Sequence, residues 1–103
     1  MAITGIELTN QFFEGETTGR SGSPKNPGNL SISGDQLIHY ATPILQRQQE
    51  CYILNVSRYS LVTGQLQKRI REKMETEKLP YIMVKRVPEG YKGSLVDFVE
   101  KEG

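Results

Sequence analysis

Cysteine is almost missing from this chain: Cys51 is the single one in 103 residues. One thiol can form neither an internal disulfide nor a metal site built from several cysteines. A disulfide-stapled secreted domain is therefore excluded, and a reducing cytoplasm is the expected compartment. Long apolar runs are missing too. No stretch approaches the roughly 18 residues a membrane helix needs, so no helical span and no membrane partner is expected. MAITGIELTNQFF, at the start, lacks the basic end, apolar run and cleavage site of a secretory signal, and none is expected there. Excess charge of either sign is also lacking. Thirteen Lys and Arg against twelve Asp and Glu leave +1, well short of the basic footprint of a typical nucleic-acid-binding domain.

Histidine is as scarce as cysteine, which narrows the chemistry. His39 lies in a strand-like pattern with no serine or cysteine motif beside it, so it reads as a half-buried or exposed strand residue rather than a base. Cys51 opens the apolar run CYILNV and reads as a packing residue. One His, one Cys and scattered carboxylates do not offer metal-ligand spacing. Residues 15–21 (GETTGRS) look superficially like a phosphate loop. The spacing is one residue short, Arg20 stands where lysine is required, and no strand–helix scaffold surrounds it. No catalytic residue, metal or cofactor is expected.

What is there divides the chain into three parts. Residues 1–13 carry Ile3, Ile6, Leu8, Phe12 and Phe13 and form either a strand that pairs back onto the body or a tail. In residues 14–29, EGETTGRSGSPKNPGN, ten of 16 are Gly, Pro, Ser or Thr and none is apolar. With nothing to bury, such a segment is expected to be a flexible loop. Residues 30–103 make one domain. Within it LSIS (30–33), QLIHY (36–40) and CYILNV (51–56) read as strands of an antiparallel meander, with Pro43 marking a kink, bulge or edge. Val62, Leu66, Ile70 and Met74 then recur every four residues and define the sheet-facing side of a helix from about Leu61 to about Lys78. Ser60 is its N-cap and Pro80 ends it. YIMVKRV (81–87) is another strand. SLVDFVEK (94–101) is a short helix capped by Ser94, or a last strand. The expected fold is α+β: an antiparallel sheet of about four to five strands packed against one long amphipathic helix. A core of this size points to modest stability, and an exposed sheet edge or Phe12–Phe13 would gain from pairing in a homodimer.

The one strong charge asymmetry lies in residues 58–73, which carry five cations and one Glu. Arg58 and Tyr59 precede the helix. Lys68, Arg69, Arg71 and Lys73 lie on it, with Gln65 and Gln67 as neutral donors. These six, Arg58, Tyr59, Lys68, Arg69, Arg71 and Lys73, are the candidate partner contacts. They suit an acidic protein surface or a phosphate backbone, and they also read as the solvated face of an amphipathic helix.

Three segments carry a resemblance: Gln36 to Ile44 (QLIHYATPI), Tyr52 to Asn55 (YILN) with Arg58-Tyr59-Ser60, and Thr63 to Lys68 (TGQLQK). Over residues 36–70 the chain resembles small phage- and plasmid-encoded proteins of unknown function. It departs from them in Gly64 and in a longer polar leader. The resemblance implies a mobile-element source and carries over no catalytic residue. It is similar to anti-CRISPR proteins in size and style. The function it implies is a non-catalytic protein that binds and inhibits a host protein, such as a defence-system nuclease, in the host cytoplasm. The alternative is a small nucleic-acid-binding regulator using residues 58–73.

Overall fold

A computed structural model describes residues 3–23, 25 and 27–99. The first element is not a strand or a tail but a helix, α1 (Gly5–Phe13). Thr4 caps it, its hydroxyl accepting from the Glu7 amide at 3.1 Å, and Glu7 places negative charge in the first turn. Leu8 and Phe12, four apart, are fully buried while Ile6 stays exposed. That is the helical period, not the alternation of a strand.

The polar segment 14–29 departs from expectation as well. It holds strand β1 (Thr18–Gly22) and the start of β2 (Pro27–Ser33). Backbone pairing to β2 supplies order that apolar burial cannot. The small residues permit close approach. A Cβ on Gly19 would lie 2.8 Å from Leu8 Cδ1, and one on Gly28 would lie 3.0 Å from the Ser21 carbonyl carbon and 2.1 Å from its Oγ. Ser21 is buried, and its hydroxyl hydrogen-bonds the backbone of Leu30.

The chain continues through β3 (Gln36–His39), β4 (Thr42–Arg47) and β5 (Tyr52–Asn55) into α2 (Leu61–Thr76), then β6 (Tyr81–Val84) and a 3-10 turn, Leu95–Phe98. The class is α+β. The sheet has six strands in sequential order, more than expected, and is mixed. Pairs β1 to β5 are antiparallel, but β5 and β6 run parallel, because α2 carries the chain back across the sheet as a βαβ crossover. Pro43 falls at a register shift in β4: Ile38 pairs with Pro43 and Leu37 with Leu45.

Both faces of the sheet are covered around β5. One side packs Leu8, Phe12, Leu30, Leu45, Leu54, Ile70 and Met74 into the main core. The other packs Ile53, Val84, Val87 and Leu95. Residues 53 and 54 divide between the two because successive strand side chains point to opposite faces. Ser94 caps the 3-10 turn as expected of it, accepting from the Val96 amide. Gln46 anchors that turn: its carbonyl accepts from the Leu95 amide at 2.7 Å and its amide donates to Ser94 Oγ.

Helix α2 begins at the Ser60 cap, whose hydroxyl accepts from the Thr63 amide at 3.2 Å. Its buried face is rotated from the expected one. Ile70 and Met74 are fully buried, but Val62 is 57% exposed, and Thr63 and Gln67 are buried in its place.

Candidate binding surface

The βαβ unit creates a groove lined by cations. Parallel strands that share a crossover helix open a crevice beyond their carboxyl ends. Here Val56-Ser57-Arg58 follow β5 and Lys85-Arg86-Val87-Pro88 follow β6. These seven residues line an open groove of about 520 Å³. Three of them are cations, none is acidic, and among the described residues none of the three is ion-paired. Arg86 holds a positive φ of 61°, rare for a non-glycine residue.

A polar network sets the floor of this groove. Asn55 is fully buried. Its amide donates to Pro43 O and Tyr59 Oη, each at 2.9 Å, and its carbonyl accepts from the Ser57 amide. Gln67 donates to the carbonyls of Asn55 and Ser57. Ser57 Oγ accepts from the Val87 amide, and Tyr59 Oη donates to Val87 O. Every buried side-chain N or O among the described residues has a partner. A fully satisfied network of this kind fixes one geometry. It holds the segments carrying Arg58 and Arg86 against each other. Gln67 is thus not a surface donor beside the basic residues but an internal brace.

The six expected contacts part company. Arg58 joins Lys85 and Arg86. Tyr59 is half-buried, with its hydroxyl spent inside the network. Arg71 donates to Tyr81 Oη at 3.2 Å and lies 3.4 Å from Glu75, which also accepts from Tyr81. Those neighbours, Tyr81 first, raise the Arg71 pKa further. Lys73 pairs with Glu77 at 2.7 Å and lies over the Phe13 ring. Arg71 and Lys73 therefore tie α2 to its surroundings. Lys68 and Arg69 stay exposed and unpaired among the described residues, and Arg69 lines a separate groove beside His39. Lys85 and Arg86 were not among the expected contacts. They sit in YIMVKRV, which reads as strand, and only the parallel pairing of β5 with β6 brings them to Arg58.

A second groove, of about 410 Å³, lies between the β3–β4 turn and the start of α2. His39 is 8% exposed, more buried than a half-exposed strand residue. Its Nδ1 lies 3.0 Å from Thr63 Oγ1, which contacts Ser60 Oγ at 3.1 Å. Burial lowers the His39 pKa, favouring the neutral ring. The turn itself is strained. Tyr40 and Ala41 have φ of 50° and 65°, the pattern of a two-residue hairpin turn that favours Asn-Gly. Tyr40 projects from it, 55% exposed, with its ring 4.4 Å from that of His39.

Cys51 is half-buried just before β5. Among the described residues no group of three or more His, Cys, Asp or Glu is placed to hold a metal, and no helix is long and apolar enough to cross a membrane. Comparison with protein-family models found no match, and comparisons with curated proteins and with solved structures found none either.

Proposed function

We propose that this chain is a non-catalytic binding protein that docks an acidic protein surface through Arg58, Lys85 and Arg86. One observation carries the reading: three cations, unpaired among the described residues, line one open groove that no acidic residue lines, on a floor fixed by buried hydrogen bonds. The network orders the backbone that carries these charges, and an ordered backbone loses less entropy on docking than a mobile one. The charges also steer association with a negative partner. In line with the resemblance over residues 36–70, the partner we propose is a host protein, blocked by a small phage-type or mobile-element protein in the host cytoplasm. A defence-system nuclease is the sharpest form of that proposal. The test is affinity capture from host lysate by the wild-type chain and by the triple variant Arg58→Glu, Lys85→Glu, Arg86→Glu. The reading expects a partner retained by the first and lost by the second at unchanged melting temperature. A partner held equally by both overturns it.

The second reading is a small nucleic-acid-binding regulator. Lys68 and Arg69, exposed and unpaired, favour it by adding phosphate contacts on α2. Fluorescence anisotropy with labelled DNA and RNA at two salt concentrations separates the readings, since only this one expects binding that falls steeply with salt. The homodimer also stays a proposal, with a different basis. Phe12 is buried, and Phe13 is packed edge-on to Tyr52 at 5.1 Å. The outer strand β6, with Ile82 and Met83 exposed, is the edge that pairing would use. Sedimentation across concentration, with Met83→Lys as control, tests it.

A further inference from the structure

We infer that the groove between the β3–β4 turn and the start of α2 binds a guanidinium-type cation, held against Tyr40 and Tyr59 and paired with Glu89. Glu89 is the one charged side chain lining this groove, and among the described residues it has no ion pair. Its turn is fixed in place, because the Gly90 amide donates to Thr42 Oγ1 at 2.8 Å. Two aromatic rings line the same space. Tyr59 is locked through its hydroxyl by Asn55 and Val87. Tyr40 is held outward by a strained turn, and strain of this kind clusters where a side chain must be presented. Aromatic faces beside a carboxylate are the chemistry that recognises an organic cation.

His39 lines the groove as well. Its Nδ1 is engaged by Thr63, and Nε2 has no protein partner among the described residues. No sealed side-chain nitrogen among the described residues lacks a partner, so Nε2 is not shut off from solvent, and the ring lines both this groove and the one beside Arg69. As a neutral ring it offers a hydrogen-bonding edge without opposing a cation. The positive pole of α2 does oppose one, since Ser60 and Thr63 line the groove, but its partial charge is smaller than the full negative charge of Glu89, and Ser60 Oγ already meets the Thr63 amide. A planar guanidinium fits better than a compact ammonium, since it can face a ring and donate sideways to Glu89 at once.

The cation can be a free small molecule or an arginine side chain of a partner. This site shares no lining residue with the Arg58 groove, so failure of either reading leaves the other standing.

NMR titration tests it, with His39 giving the single imidazole signal of the chain. The probes are agmatine, N-acetylarginine amide and the neutral isostere N-acetylcitrulline amide. Saturable shifts of the His39 and Tyr40 ring signals are expected with the cations and not with the citrulline. Dissociation constants on the order of a millimolar suit one ion pair with ring contacts. Glu89→Gln changes an exposed side chain and should weaken binding about tenfold or more at an unchanged melting temperature. Ala41→Gly, which relaxes the turn and keeps both rings, should preserve it. Agmatine bound with the amide rejected assigns a free cation; binding of the amide assigns an arginine side chain. Equal response to the citrulline, or affinity unchanged in Glu89→Gln, overturns the inference.

Discussion

Arg47 has 22% of its side chain exposed, and its guanidinium lies 4.4 Å from the centre of the Phe12 ring. It donates to the carbonyls of Phe12 and Glu16, so it serves the carboxyl end of α1, where free carbonyls and the helix dipole favour a cation. Arg47→Ala removes these charged hydrogen bonds and the cover over Phe12. A loss of about 1.5–3 kcal/mol is expected in urea unfolding. Gly28 is equally constrained, because a methyl there would run into Ser21. Gly28→Ala should destabilise by about 1–3 kcal/mol, the usual cost of overpacking. His39 makes stability depend on pH. Burial holds its pKa below the unfolded value of 6.5, so the unfolded chain binds the proton first as pH falls. The stability it contributes is complete above that value and is lost as pH drops through the lowered one. Melting curves between pH 7 and 5 should show a decline that His39→Gln reduces.

Helix α2 ends in a left-handed cap. The Leu79 amide bonds Met74 O at 2.8 Å and the Lys78 amide bonds Glu75 O, with Lys78 at a φ of 56°. Glycine is the usual residue there. Lys78→Gly should therefore raise stability by about 0.5–1 kcal/mol in thermal or urea unfolding. The β3–β4 turn follows the same logic: Tyr40→Asn with Ala41→Gly should stabilise by about 1–2 kcal/mol while removing the Tyr40 ring. Much of this architecture was legible in the sequence. Ser60, the four-residue period and Pro80 marked α2 to within two residues of its end, and alternation marked the central strands. The misses have physical causes. Over residues 1–13 the five apolar residues suggested a strand or a tail, although Thr4-x-x-Glu7 is a helix-start signature. Strand β1 has no apolar residue to announce it and is ordered by backbone pairing and by packing against small side chains. The exposure of Val62 follows from tertiary demand, since Gln67 turns inward to brace Asn55 and Ser57.

At the scale of the molecule, the sheet runs through an elongated body of 49 × 28 × 23 Å, and the crossover through α2 makes its last two strands parallel. A single stretch of basic residues does not define the surface. Two of its cations brace α2, two stay exposed on that helix, and one joins a pair from the segment after β6. Periodicity places residues on one helix, but it does not reveal that β5 and β6 run parallel. That pairing is what gathers Arg58, Lys85 and Arg86, and it was not legible beforehand. We propose that these three form the docking surface. The most direct test is binding of the captured partner to the wild-type chain and to the Arg58→Glu, Lys85→Glu, Arg86→Glu variant, with Lys68→Glu, Arg69→Glu alongside and folding checked by melting. The account predicts that the triple reversal abolishes binding without unfolding the chain, while the helix reversal weakens it less. Retained affinity in a folded triple variant would contradict it.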